Sequence, residues 1–553
     1  MSAVIAILLV ISVAIFAFFV VYTLATLSLT AYSLYEEVQQ KIERGDGFRP
    51  LRRPLRSGIS LVVPAHNEEL VIVPAVRSLL GVDYEPLEVA VVDDGSTDRT
   101  LAVLSKAFDP RELPLGDRFG LETEPAEALY VSAADPRLRV ERKRNGGRSD
   151  AINAGMNLAH HELVGVVDAD SLLDRDALAR IVEVFSIDPD RVVAVGGTIR
   201  IANGGVIEDG VMTRPRVPVH GLEASQVAEY LRSFLSSRIA WASMNGLLII
   251  SGAFGVFRRD LFRAVGGLSR DTLGEDMELV MRLHAQVRPV RPGVRIEFAA
   301  DATCWTEAPP GLRPLRGQRV RWHIGLLDNL RLHRRMIGRR RYGAVGLVSL
   351  PYTILVEVLG PILQVTGYAI VIVLALFHEI AWEYAIALLL IVLLVGQLQT
   401  AAAILTEEIG FGRYRRCDLL LIGGWGLLEM FWYQPLSALW RMWATFLWLI
   451  GRRPGWGTIP RGAALAQPPP AKRPSLLPRR SRARDGSRPA SRAGRGGAAS
   501  AGRPRVRAGS RWIPPSRSRR RRGSRAGRRR SSPAAGSSDG LRGRGCSSRR
   551  RQC

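Results

Sequence analysis

Apolar positions along this chain fall into three patterns. Residues 3–31 form one uncharged run, AVIAILLVISVAIFAFFVVYTLATLSLTA. It exceeds the roughly 20 residues a bilayer-spanning helix needs, and no basic segment precedes it, so it reads as an anchor rather than a signal peptide. From Ile59 short apolar runs alternate with amphipathic ones. ISLVVP, LEVAVVDDG, LRVERK and LVGVVDAD predict strands; EELVIVPAVRSLL, STDRTLAVLSKAF, RSDAINAGMNLAHH and DRDALARIVEVF predict helices. Such alternation predicts an α/β fold, a mostly parallel sheet covered by helices. Residues 108–136, rich in prolines and acids, are expected as an inserted loop. Apolar blocks then return at about 343–377, 380–405 and 419–450. The last contains Pro435, Glu429, Arg441 and five tryptophans, and is expected as one span plus a surface helix or as a re-entrant pair.

The pattern divides the chain into a transmembrane helix at 1–35, an α/β domain at 57–330, transmembrane or interfacial helices at 343–450 and a tail at 461–553. Basic clusters at 36–56 and 331–341 flank the α/β domain and predict that it faces the cytoplasm, in a multi-pass protein of the inner (plasma) membrane. Glu357, Gln364, Gln397 and Gln399 lie within the spans, either lining a polar path or bonding between helices.

Charge changes this picture little. The net +26 suggests a nucleic-acid binder, but residues 461–553 hold 28 Lys and Arg against 2 Asp and Glu, leaving 49 of each sign in 1–460. The body is neutral. The Arg, Ser, Gly and Pro tail buries too little apolar area to fold and is expected to be a disordered, solvated appendage, so nucleic acid is not an expected partner. Cys304, Cys417, Cys546 and Cys553 show no paired spacing, which argues against a zinc site or a disulfide framework.

Chemistry concentrates where the predicted strands end. Parallel sheets place ligands outside their strand C-termini. Here those ends carry PAHNEE (64–69), DDGSTD (93–98) and DADS (168–171). A single such acid is commonly a helix cap; three clusters on one rim are more than that. Asp168 and Asp170, one residue apart, can aim oxygens at a hard cation such as Mg²⁺ or Mn²⁺ that in turn holds a diphosphate. Asp93 and Asp94, beside Gly95, can bind the donor groups of a base or ribose. Asn145-Gly146-Gly147-Arg148 offers a flexible loop and a cation at a helix start, a diphosphate site, with Asp150 following. Glu275 and Asp276 open a helix, as dipole-stabilised acids or with one as a general base. Gln318, Arg321 and Trp322 combine an amide, an anion fork and a flat face suited to sugar rings or bases.

In order, PAHNE, VVDDGS, NGGRSDAIN, VDAD, SGAFGVF, GED and QRVRW resemble the membrane-integrated family 2 glycosyltransferases, the cellulose, hyaluronan and poly-N-acetylglucosamine synthases. The resemblance covers about residues 57–330 plus the flanking spans. It implies a GT-A, Rossmann-like domain, a UDP-sugar donor, a glycan or lipid acceptor and a divalent metal. It assigns Asp93 or Asp94 to uracil, with Pro64, Asn67, Glu68, Arg148, Asp150 and Asp168 around the donor. Asp168 and Asp170 become metal ligands, and Asp276 the base of an inverting transfer. Glu275, Gln318, Arg321 and Trp322 fall to the diphosphate and the acceptor. His66 and Arg148 depart from the commoner tyrosine and lysine. No regulatory barrel follows the spans, so control of that kind calls for an accessory membrane subunit. Three functions remain open on sequence alone: a processive polysaccharide synthase, a single-transfer glycolipid synthase, and an arginine-tailed membrane protein that binds nucleic acid or anionic lipid.

Overall fold

The computed structural model describes residues 2–44, 57–115, 120–378 and 382–453. The Arg-rich tail and most of the basic stretch before residue 57 lie outside them.

The described strands are β1 (Ile59–Ala65), β2 (Leu87–Asp94), β3 (Pro110–Leu113), β4 (Ala126–Ser132), β5 (Leu138–Lys143), β6 (Leu163–Val167), β7 (Ser171–Leu173), β8 (Val192–Ile201), β9 (Val206–Glu208), β10 (Val211–Arg214), β11 (Phe254–Arg258) and β12 (Arg295–Thr306). Ten of these form one sheet in the order β3-β4-β5-β2-β1-β6-β11-β8-β12-β7, and β9 with β10 makes a separate ribbon. The run β5-β2-β1-β6 is parallel, as is β8 with β12, while β11 lies antiparallel between β6 and β8. Alternate residues of β1 serve opposite faces. Ile59, Leu61 and Val63 pack with Ile72 and Val76 of the Ile72–Leu80 helix and Phe185 of the Ala177–Ile187 helix. Val62 packs with Ile152 and Met156 of the Arg148–Leu158 helix and Leu279 and Leu283 of the Glu275–Gln286 helix.

Residues 108–136 are not simply a loop: they hold β3 and β4, antiparallel strands added at the sheet edge. The half-exposed β4 carries no clean alternation for a pattern to reveal. The last apolar block is one helix, Arg416–Leu449, with Pro435 inside it rather than a span plus a surface helix or a re-entrant pair. Tyr433, Trp440 and Ala444 anchor it on Leu315, Val320 and Ile324 of the Leu312–Leu332 helix, so packing carries it through the proline. Among the described residues, Val4–Gln39 and Val345–Leu376 are long and apolar enough to cross a bilayer. Charges in the helical part are paired: Arg441 with Glu357 (2.7 Å), Arg232 with Glu429, and Arg200 of β8 with Glu407 (2.6 Å). Gln364 donates to the Tyr368 hydroxyl (2.7 Å).

The register positions the site. Ala65 pairs with Asp93 and Val62 with Val166, so β1, β2 and β6 end on one rim. Phe254 pairs with Val167, which brings Ser251–Ala253 to the end of β6.

Candidate active site

Beyond β1, Asn67 adopts a left-handed conformation (φ 58°), which asparagine tolerates better than most residues. Its side-chain oxygen accepts the Thr97 and Asp98 N–H groups (2.8 and 3.3 Å), and its own N–H donates to Ser96 Oγ (3.0 Å). Asn67 therefore clamps the PAHNE turn to the DDGSTD loop. Pro64 lies within β1 opposite Val92. Glu68 is buried, its N–H on Thr100 Oγ1 (2.8 Å), and buried Asp93 accepts the Ser96 N–H (3.1 Å).

Asp94 and Asp150 hold the NGGR loop. Asp94 accepts Lys143 Nζ (2.6 Å) and the Gly146 N–H (3.0 Å) on Oδ1, and the Gly147 N–H (2.8 Å) on Oδ2. Lys143 also meets Asp150 at 2.5 Å, and Asp150 pairs with Arg270. Lys143 and Asp150 are fully buried, so each charge depends on the other to offset its lost hydration. Gly147, at φ 88°, makes the turn from which Arg148 enters its helix.

Arg148 is the hub. Its Nε and Nη2 donate to Asp168 Oδ1 (3.1 and 2.7 Å), Nη1 to Glu275 Oε1 (2.5 Å), and Nη2 also to the Gly252 carbonyl (2.9 Å). Burial disfavours its charge, but the Asp168 and Glu275 carboxylates more than offset that and raise its pKa. Burial pushes the Glu275 carboxyl up, with Arg148 opposing. Asp276 accepts the Gly252 N–H (3.1 Å) on Oδ2 and the Met277 N–H (2.8 Å) on Oδ1, at a helix start that favours an anion. Asp170 accepts long hydrogen bonds from Ser171 Oγ (3.3 Å) and Thr306 Oγ1 (3.4 Å).

The Leu312–Leu332 helix is locked to the GED turn. A Cβ on Gly325 would fall 2.7 Å from the Gly274 nitrogen, and Asn329 Nδ2 donates to the Gly274 carbonyl at 2.7 Å. One turn earlier, buried Arg321 is held below its ordinary pKa by burial while the Glu275 charge opposes. Gln318 Oε1 is buried without a hydrogen-bond partner among the described residues. Trp322 is 49% exposed. Tyr230, on the Gly221–Ser233 helix, is pushed up to about 12 by burial and also feels Arg319, Arg238 and Asp170. Burial holds Arg238 down to about 10, against the Asp276 charge. Tyr230 thus feels the Asp170 charge, Arg238 that of Asp276 and Arg321 that of Glu275.

Sequence reasoning missed Lys143, Tyr230 and Arg238. Lys143 ends the strand LRVERK, where a buried cation opposite two acids leaves only a faint mark. Tyr230 and Arg238 sit between quoted motifs, and nothing in their local sequence marks them.

A large mixed sheet with helices on both faces and polar loops gathered on one rim is a GT-A-like architecture. Residues 60–266 match the family model Glycosyl transferase family 2. The poly-β-1,6-N-acetyl-D-glucosamine synthase of Staphylococcus aureus strain COL is 26% identical over 268 residues, 48% of this chain and 54% of the relative. That of Staphylococcus epidermidis is 26% identical over 269 residues, with the same shares. The chain therefore spans about half the length of the curated relatives it matches. Among solved structures, a mannosyltransferase of Pyrobaculum calidifontis in complex with GDP-mannose and Mn²⁺ aligns with a TM-score of 0.48 at 18% identity, covering 81% of this chain and 100% of that one. Staphylococcus aureus TarS with UDP-GlcNAc aligns at a TM-score of 0.30 and 18% identity, over 49% of this chain and 67% of that one.

Proposed function

We propose that this chain is an inverting glycosyltransferase that moves glucose or N-acetylglucosamine from a UDP-sugar to a growing glycan at the inner membrane. The observation that carries this reading is Arg148, which ties the end of β6 at Asp168 to Glu275, beside Asp276. The curated relatives make poly-β-1,6-N-acetyl-D-glucosamine, which favours N-acetylglucosamine. The Ser2–Arg44 helix and the Val345–Leu376 segment cross the bilayer, and the sheet domain lies on the cytoplasmic side.

The donor lies along Pro64, Asn67, Glu68, Asp93, Arg148 and Asp168, with Asp94 and Asp150 shaping the loop under its diphosphate. Asp168 and Asp170 fit a hard cation: both offer carboxylate oxygens just beyond β6, and such an ion commonly takes one or two carboxylates with phosphate and water completing its shell. When bound, Mg²⁺ or Mn²⁺ would neutralise charge developing on the departing UDP. Arg321 and Arg238 add fixed positive charge on the same side. Asp276, oriented by the Gly252 N–H, takes the acceptor hydroxyl proton as that oxygen attacks the anomeric carbon from the face opposite the leaving group. Gln318 and Trp322 meet the acceptor, the indole lying against a sugar face.

The test is a panel of UDP- and GDP-sugars offered to membranes containing the protein, with and without EDTA, followed by product sizing. A long polymer from a UDP-sugar, lost with EDTA and restored by Mn²⁺, is expected. One sugar on a lipid would replace the polymerase reading with a glycolipid synthase. No transfer from any donor would overturn the proposal.

A further inference from the structure

Behind Trp322 lies a hydrogen-bonded cycle, with Arg319 and Tyr433 buried and Glu229 partly so, that the donor chemistry does not use. Arg319 precedes Trp322 by one helical turn, so both side chains share a face of the Leu312–Leu332 helix. The guanidinium carbon lies 4.5 Å from the indole centroid. Arg319 is 3% exposed and Trp322 49%, so the stack has a closed side and an open side. On the closed side Arg319 Nη2 donates to Glu229 Oε2 (2.6 Å) and to the Tyr433 hydroxyl (3.1 Å), and that hydroxyl donates to Glu229 Oε2 (2.6 Å). Glu229 comes from the Gly221–Ser233 helix and Tyr433 from Arg416–Leu449. Three helices therefore meet at one guanidinium. Burial disfavours its charge and Glu229 more than offsets that, so its pKa stands above the ordinary value.

We infer that Arg319, Glu229 and Tyr433 are positioning residues for the acceptor: they fix the tilt of the Trp322 indole beneath the incoming sugar and tie acceptor binding to the Arg416–Leu449 helix. This rests on the proposed function in that Trp322 meets the acceptor. A planar guanidinium can stack on the ring and fork to two oxygens together, whereas a lysine ammonium is a point charge on a flexible stem. Tyr433→Phe removes one hydroxyl and leaves the ring on Leu315, Val320 and Ile324. Arg319→Lys keeps the charge and loses the flat stack.

The experiment measures binding by calorimetry on the full-length protein in lipid nanodiscs, with a short N-acetylglucosamine oligosaccharide as one probe and UDP with Mn²⁺ as the other. Tyr433→Phe is expected to weaken oligosaccharide binding about fivefold, the scale of one net hydrogen bond. Arg319→Lys is expected to weaken it further, and UDP affinity should stay at the wild-type value in both. Unchanged oligosaccharide affinity in both variants, or a parallel loss of UDP affinity, overturns the inference. Should Arg319→Lys fail to assemble, Tyr433→Phe decides alone. Sugar transfer by the same wild-type preparation separates the two claims. Normal transfer with insensitive variants sinks only the positioning role. Expected binding shifts without transfer from any donor sink only the proposed function.

Discussion

A carboxylate at the end of a buried strand is unfavourable unless a positive charge faces it. Asp168 meets that need through Arg148, which also serves Glu275, so removing this arginine strands two acids at once. Arg148→Gln is expected to cost about 3–5 kcal/mol, the range for breaking a buried pair, and to abolish UDP binding. Arg148→Lys should fall between, because one ammonium cannot reach Asp168, Glu275 and the Gly252 carbonyl together. Thermal melting and UDP titration of the two variants check this; a wild-type melting temperature for Arg148→Gln would remove the hub role. Asp276→Asn separates chemistry from architecture. The amide oxygen can still accept the Gly252 N–H, while the proton acceptor is gone. Transfer should fall by roughly 10²–10⁴ with UDP inhibition unchanged. A variant that still transfers at the wild-type rate would mean that another group is the base.

Between elements, Gly325 of the Leu312–Leu332 helix lies backbone against backbone on Gly274, ahead of the Glu275–Gln286 helix, with no room for a Cβ. Gly325→Ala should push the helices apart and cost about 1–3 kcal/mol, as overpacking does. Because Arg321 and Trp322 ride one turn away, transfer should fall more than melting temperature alone explains. A loss of stability with wild-type kinetics would mean that the spacing does not matter to the chemistry. This contact also shows where sequence reading stops. β1, β2 and β6 were legible because burial on both faces leaves each as a short, nearly unbroken apolar run ending in polar residues. β3 and β4 were not, because a half-exposed edge imposes no alternation. QRVRW was legible as chemistry, but its docking through Gly325 and Asn329 joins positions about fifty residues apart. The same holds for Arg238 and Lys143, whose partners come from other strands and helices.

For the molecule as a whole, resistance to acid depends on groups that must stay neutral in the core. His284 is fully buried on the Glu275–Gln286 helix, its Nε2 3.0 Å from the Leu247 carbonyl and its Nδ1 without a partner among the described residues. Protonation would place a second N–H where nothing accepts it. Burial, with Arg288 pushing the same way, lowers its pKa from 6.5 to about 4. Between those values the unfolded chain takes up a proton that the native chain refuses, so stability rises with pH through this window and falls on acidification. The loss across the full window is ~3 kcal/mol. His323, also buried and held down to about 3 by burial with Arg441 adding, acts in the same direction. The melting temperature in detergent should therefore drop from pH 7 to pH 5. His284→Gln, which can still donate to Leu247 and does not titrate, should flatten part of that slope at some cost in stability at pH 7. An unchanged slope in His284→Gln would show that this histidine does not set the acid limit, and the same pair of melts on His323→Gln would then measure what the second site contributes.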